Sequence, residues 1–379
     1  MYQQWQPSVM LCELLPRVGE RIERCRSDGL VPHGLQVFVS VNSDVVLDVA
    51  VGDARPGLPM STQTILRQHC TAAPFLSFAV AQLVSQGRVS LDQPVADLIA
   101  DFAHRGKAGI TLRQVLTHTA GLHAADSASP ERSHLDPIEA ICETPLPPGW
   151  IPGRDAAYSH VASWHVLRRV VELVVGENLT EHLRRAVFLP LGMTDTCVGM
   201  SVNTHRRVQH QLAVNYWSGN GDSFESWLGQ DLVANWHEIS EQTCLSRVPW
   251  GAFLPARDLG RFYQMLVDRV TVEEIGGVRS DVLDTFVSAQ RSEMYDTGLG
   301  RVCDYGYGFM VNLRGHHVGD RCSERSYGHS GASGSSVGFA DEKHGLAVGL
   351  LANDILDPES CFLRRTAIVN AIYEDLTLT

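Results

Sequence analysis

Short apolar runs near both ends of the chain predict the strands of one sheet. In residues 33–54, "HGLQVFVSVNSDVVLDVAVGDA", two runs rich in β-branched residues flank the polar "VNSD", which is typical of a hairpin. Residues 336–354, "SVGFADEKHGLAVGLLAND", repeat this pattern around the turn "DEKHG". Helical patterns lie outside both pairs, in "VMLCELLPRVGERIERCRSDG" (9–29) and "ESCFLRRTAIVNAIYEDL" (359–376). These positions predict a sheet assembled from the two termini.

The middle of the chain has the spacing of helices. Three segments each end at a glycine, as helices often do: "TLRQVLTHTAG" (111–121), "ASWHVLRRVVELVVG" (162–176) and "LTEHLRRAVFLPLG" (179–192). The pattern in residues 200–300 is less regular. We expect an α+β fold in one domain, residues 1–379. An α/β lobe would comprise about residues 10–85 and 305–379, and a mostly helical lobe about residues 86–304.

Composition narrows the possible partners and compartments. A net charge of -12 argues against nucleic acid or an anionic membrane as a partner. No run of about 18 apolar residues predicts a membrane span, and the N-terminus lacks a signal-peptide pattern, so we expect a cytoplasmic protein. The 9 cysteines form no CxxC pair, so we expect mostly free, buried thiols. Without a metal-ligand spacing, we expect neither a metal site nor a cofactor.

Six segments carry recognisable motifs in a fixed order. They are "CTAAPFLSFAV" (70–80), "ITLRQVLTHTAGL" (110–122), the stretch from "PPGW" to "PLGMTDT" (147–196), "WGAFLPARDLGRF" (250–262), "YGYGF" (305–309) and "YGHSGASGSSVGF" (327–339). Together they resemble the serine β-lactamase and penicillin-binding-protein superfamily, nearest its class C β-lactamase and esterase branch. The resemblance implies an antiparallel sheet flanked by helices, with a mostly helical inserted lobe. It also implies acyl transfer through a covalent intermediate.

Part of the superfamily's site is kept. Tyr158 stands at the place of the tyrosine in the Tyr-x-Asn motif, which implies a proton carrier; a buried tyrosine with a satisfied hydroxyl is the alternative. His329, Ser330 and Gly331 keep the third motif as esterase-branch members write it. His329 is expected to contact the substrate or polarise the tyrosine, unless it is a strand-end histidine that faces solvent.

Three residues depart from the superfamily's pattern. Cys70 takes the place of the serine nucleophile, Ala73 that of the lysine and His160 that of the asparagine. A thiol ionises near a pKa of about 8.5, and a helix N-terminus lowers that value, so a cysteine needs less help than a serine. We expect His160 to supply the base that Ala73 cannot. The alternatives are a buried, inert Cys70 and a surface or supporting His160.

Other residues are predicted to surround these groups. His118 is more consistent with a structural hydrogen-bonding role. Asp155 is near His160 in the chain, but the sequence assigns no acidic partner. The predicted substrate-binding residues are Ser330, Gly331, Ala332, Trp150, Trp250 and Tyr307; for the aromatic residues, plain packing is an equal alternative.

Several functions remain open. The favoured one is an acyltransferase, thioesterase or cyclase of natural-product biosynthesis, acting on a small-molecule or carrier-bound acyl substrate, with an acyl carrier protein as a possible partner. An esterase-type hydrolase also fits. Two different readings are a catalytically degenerate binding protein and an enzyme that uses Tyr158, His160 and His329 without a covalent step.

Overall fold

The computed structural model describes residues 15–68, 70–126, 136–217, 251–331 and 334–378. Its helices are α1 (Pro16–Ser27), α2 (Ala73–Ser85), α3 (Leu112–Leu116), α4 (Pro137–Glu143), α5 (Ala162–Val175), α6 (Leu179–Leu183), α7 (Val202–Val208), α8 (Ala256–Val267), α9 (Arg269–Glu274), α10 (Ser280–Val287) and α11 (Pro358–Asp375). Among these residues, no helix is long and apolar enough to span a membrane.

The strands are β1 (Gly34–Val41), β2 (Asp44–Arg55), β3 (Leu58–Pro59), β4 (Leu66–Gln68), β5 (Cys197–Val198), β6 (Tyr216–Trp217), β7 (Ala252–Leu254), β8 (Tyr295–Asp296), β9 (Arg301–Val302), β10 (Met310–Val311), β11 (Ser326–Ser330), β12 (Ser336–Asp341), β13 (Leu346–Ala352) and β14 (Asp354–Ile355). Seven of them form one sheet in the order β10-β11-β12-β13-β1-β2-β3. The neighbours are antiparallel, and β1 from the N-terminal part pairs with β13 from the C-terminal part. The predicted sheet built from both termini is confirmed.

Helices pack closely against this sheet. Helix α8 lies on β1, β12 and β13. A Cβ on Gly260 of α8 would overlap the Phe38 ring of β1, so glycine permits this close approach. Helix α1 packs on α11, and the hydroxyl of Tyr373 in α11 donates to Asp341 of β12 at 2.7 Å. The seven cysteines within the described ranges are all free thiols, as expected.

Residues between the two sheet segments form mostly helices, with a few short strands. Strands β4, β7 and β5 make a separate small sheet in that order, β6 pairs with β14, and β8 pairs with β9. The pairing of β4 with β7 fixes the backbone just before Cys70. This small sheet was absent from the sequence prediction because its strands have only two or three residues each.

Not every predicted helix end is correct. Helix α5 ends at Val175 with Gly176 in the left-handed region (φ 84°), as predicted. Helix α3 instead ends at Leu116, well before Gly121, because Thr117 Oγ1 bonds back to the Arg113 carbonyl and His118 adopts φ 56°. Helix α6 likewise ends at Leu183 and runs into a wider π-type turn, Arg184–Phe188.

Candidate active site

Cys70 stands at the N-terminal end of a buried helix. It begins a 3-10 turn, Cys70–Ala72, which leads directly into α2. The first eleven residues of α2 are all buried, so this helix runs through the core with apolar contacts all round. Its Phe75 packs edge-on against Phe262 of α8, with ring centroids 4.7 Å apart. This packing holds Cys70 and Ala73 in fixed positions.

The turn after Cys70 is tied to the third motif. The hydroxyl groups of Thr71 and Ser336 are 2.7 Å apart and hydrogen-bonded. A Cβ on Gly331 would overlap both hydroxyl oxygens, so only glycine fits at this position. The turn that begins at Cys70 and the end of β11 therefore lie side by side.

The Cys70 thiol and the Tyr158 hydroxyl lie close enough for each to shift the pKa of the other. Burial raises the pKa of Cys70, and the Tyr158 hydroxyl lowers it in part. This reverses the direction expected from the helix N-terminus, because desolvation of the thiolate outweighs the helix dipole. Burial and the negative charge of a Cys70 thiolate both raise the pKa of Tyr158 well above its ordinary value. The resting thiol is therefore protonated near neutral pH and needs a base.

His329 presents a lone pair to two tyrosine hydroxyls. Its Nδ1 lies 2.8 Å from the Ser330 carbonyl oxygen, which can only accept, so Nδ1 carries the proton of the neutral ring. Its Nε2 is then an acceptor, 3.0 Å from the Tyr305 hydroxyl and 3.5 Å from that of Tyr158. Burial lowers the pKa of His329 to about 4, so the ring is neutral at physiological pH. The unprotonated Nε2 of His329 therefore faces the Tyr158 hydroxyl.

His160 belongs to the same cluster of rings. Its imidazole meets the Tyr158 ring edge-on, with centroids 4.7 Å apart. Burial lowers the pKa of His160 to about 4. The direct hydrogen bond between His160 and Cys70 stays a prediction.

Two carboxylates fix residues 158–162, here called the tyrosine loop. Asp296 Oδ1 accepts the backbone N–H of Tyr158 at 2.9 Å, and Asp126 accepts hydrogen bonds from the rest of the loop. Asp296 also forms a buried ion pair with Arg291 at 2.9 Å. The Arg291 guanidinium lies over the Tyr305 ring, 4.8 Å from its centroid.

His118 supports the loop as a structural histidine. Its Nδ1 accepts the backbone N–H of Ser159 at 3.2 Å, and its ring packs on that of Tyr158, 4.4 Å away. Burial lowers the pKa of His118 well below its ordinary value, so it is neutral.

The sequence prediction missed four of these residues: Asp126, Arg291, Asp296 and Tyr305. Tyr305 lies within the recognised "YGYGF", and Asp126 follows "HTAGL" by four residues, so both were close to a motif. Arg291 and Asp296 lie in the stretch without a readable pattern. Asp155, considered as a partner of His160, instead accepts the backbone N–H of Ile151 at 2.6 Å.

Some predicted substrate-binding residues make other contacts. Trp150 donates to the Thr119 carbonyl at 3.2 Å and packs on His123. Tyr307 is buried against Phe286, with Arg113 over its ring. Ser330 Oγ lies 3.8 Å from Met310 Sδ, and Gly331 adjoins Thr71. Ala332 and Trp250 lie outside the described residues.

Comparisons with known proteins identify the family of the chain. The β-lactamase family profile matches residues 20–371. Esterase EstB of Burkholderia gladioli is 26% identical over 352 residues, covering 84% of this chain and 86% of the relative. Penicillin-binding protein 4 of Amycolatopsis lactamdurans is 24% identical over 342 residues, covering 88% and 84%.

The fold is also that of solved relatives. A penicillin-binding-protein homologue from Caulobacter crescentus superimposes with a TM-score of 0.77 at 22% identity, covering 96% of this chain and 98% of that one. A profile match across nearly the whole chain, together with this shared fold, settles the classification. The chain belongs to the β-lactamase family.

Proposed function

We propose that this protein catalyses acyl transfer through a thioester on Cys70, with a small-molecule or carrier-bound acyl donor. One observation carries the proposal: Cys70, at the nucleophile's place of the family, is a neighbour of Tyr158, whose hydroxyl lies 3.5 Å from Nε2 of His329. The esterase among its relatives supports chemistry at an acyl carbon.

In the first step, the Cys70 sulfur bonds to the acyl carbon and the bond from that carbon to the leaving group breaks. The thiol proton passes to the Tyr158 oxygen while the Tyr158 proton passes to His329 Nε2. The same relay, run backwards, returns a proton to the departing oxygen, nitrogen or sulfur. His160, whose ring meets that of Tyr158 edge-on, is the second candidate base.

The exchange of serine and lysine for cysteine and alanine is compatible with this chemistry. A thiol is several pKa units more acidic than an alcohol, so its proton is removed more easily than that of the family's serine. The helix start at Ala73 is buried and apolar, and a lysine ammonium there would have to be desolvated. We infer that the acid and base groups lie on the tyrosine loop and β11.

The second step determines the kind of enzyme. Attack by water would make the protein an esterase or thioesterase. Attack by an amine, thiol or carbon nucleophile would make it an acyltransferase or a cyclase, and a thioester stays reactive towards all three. We favour transfer or cyclisation in a biosynthetic reaction, with an acyl carrier protein as a donor that presents a thioester.

The test is the mass of the intact protein after incubation with activated acyl donors, namely a p-nitrophenyl ester and an acyl thioester. We expect one acyl adduct, mapped to Cys70 by peptide digestion. Cys197→Ser is the matched control, since Cys197 is the other half-buried thiol in the described ranges. An unmodified protein, or equal labelling of both cysteines, would rule out the proposal.

The loss of the family's usual means of activating the nucleophile favours a binding protein instead. Burial raises the pKa of Cys70, and the family's lysine is absent at Ala73, so the site has lost its usual means of activation. A binding protein would retain a ligand without forming an adduct. Full turnover by Cys70→Ala would instead indicate acid-base catalysis by Tyr158, His160 and His329.

A further inference from the structure

Asp126 holds the tyrosine loop from a different part of the chain. It follows the 3-10 turn Leu122–Ala125. Its two oxygens accept four hydrogen bonds from four consecutive residues: Ser159 Oγ at 2.7 Å, His160 N at 2.8 Å, Val161 N at 3.1 Å and Ala162 N at 2.9 Å. The backbone of the loop is thus fixed by one carboxylate.

These bonds replace a helix cap that the local sequence cannot supply. Helix α5 begins at Ala162, and the preceding Val161 has no side chain that can cap it. The first N–H groups of a helix lack partners within the helix and form the positive end of its dipole, where a carboxylate is favourable. Ser159 Oγ in turn accepts the N–H of Ser163 at 3.0 Å. The loop and α5 therefore depend on Asp126 for their relative position.

The loop is held at its other end by Asp296. This residue accepts the N–H of Tyr158, and Gly298 packs so closely that a Cβ there would lie 2.9 Å from the Tyr158 backbone. With both ends of the loop fixed, the Tyr158 ring can swing little. A shift of about 1 Å in a reacting group can reduce a rate by about 100-fold.

We propose that Asp126 is a positioning residue for this reaction: by binding residues 159–162 it sets the Tyr158 hydroxyl against the Cys70 thiol and His329. The inference rests on the proposed function, because it assigns the carboxylate a role in acylation. Asp126 has no contact with the reacting atoms. Its negative charge adds a small rise to the pKa of Cys70, which Asp126→Glu retains, and its positioning effect acts through Tyr158.

The test compares Asp126→Asn, which replaces one acceptor oxygen by a donor, with Asp155→Asn as the matched control. We expect Asp126→Asn to lower the maximal rate of Cys70 acylation by about 100-fold with little change in KM. Asp155→Asn, whose carboxylate binds Ile151, should stay within about 3-fold. In a Tyr158→Phe background, Asp126→Asn should cause no further loss. An unchanged rate, or the full loss persisting in that background, would overturn the proposal.

A second readout needs no acyl chemistry. The Tyr158 hydroxyl lowers the pKa of Cys70, so losing that effect should move the pH midpoint of iodoacetamide labelling upward. Asp126→Glu keeps the charge but lengthens the side chain by one methylene, and should shift the midpoint in the direction that Tyr158→Phe does. An unshifted midpoint contradicts the positioning role even if the wild-type protein is never acylated. If Asp126→Asn does not fold, Ser159→Ala removes one of the four bonds and should slow acylation by about 3-fold.

Discussion

The site has two sides, here called the nucleophile wall and the tyrosine wall, which are held in place by different kinds of interaction. The nucleophile wall is an apolar helix, α2, whose polar tie to the sheet is the bond between Thr71 and Ser336. The tyrosine wall is a loop whose backbone is bound by two carboxylates, Asp126 and Asp296. One wall is fixed by packing and the other by directed hydrogen bonds.

This difference between the walls bears on which of them can hold acid and base groups. The position of the family's lysine falls on the apolar wall, and Ala73 there completes the core without a buried charge. The side chains that we propose as proton carriers, Tyr158, His160 and His329, lie together on the tyrosine wall and the adjoining β11. We therefore expect substitutions on the two walls to affect acylation in different ways.

The largest expected effect is at the nucleophile. Cys70→Ala should abolish the acyl adduct and lower turnover by at least about 10,000-fold, because no other group can form the thioester. Stopped-flow acylation and intact mass measure both. A Cys70→Ala protein that retains its rate would contradict the comparison, since the nucleophile wall would then carry no reactive group.

The second largest effect is expected at the Tyr158 hydroxyl, which lies between the two walls. Tyr158→Phe should slow acylation by about 1,000-fold, because the thiol proton loses its path to His329. Tyr307→Phe is the matched control, a buried tyrosine in the core packing against Phe286, and should stay within about 3-fold. Equal rates for the two variants would remove Tyr158 from the reaction.

His329 and His160 allow two candidate bases, on β11 and on the tyrosine wall, to be compared. His329→Ala should reduce acylation by about 100-fold, because its lone pair faces Tyr158, whereas His160→Ala should cost about tenfold. Single-turnover rates with one ester donor decide the order. The reverse order would favour the direct pairing of His160 with Cys70.

The smallest effect is a shift in pH dependence. A base must be neutral, and burial lowers the pKa of His329 to about 4, so acylation should persist well below the ordinary histidine pKa and fall as pH drops through about 4. A pH–rate profile measures this limb. Loss of activity near pH 6.5 would indicate an exposed histidine and contradict the enclosed wall.

Sequence patterns and the structure agree best where local signals are strong. The two hairpins, α1, α5 and α11 follow directly from alternation, helical spacing and a glycine cap. The end of α3 did not follow, because a threonine side chain and a left-handed His118 stop the helix before its glycine. The pKa of Cys70 was also misjudged, since the sequence indicates a helix start but not how deeply the thiol is buried.

The sequence by itself determined the α+β family fold and the occupants of the motif positions, Cys70, Ala73, Tyr158, His160 and His329, because these depend on residue order. Tertiary structure alone decided that Tyr158 lies beside the thiol, that Tyr305 is hydrogen-bonded to His329, and that Asp126 and Asp296 hold the loop. These contacts join residues that are 24 to 138 positions apart. Hydrogen bonds over such separations depend on how the helices and sheet pack, which no local pattern along the chain records.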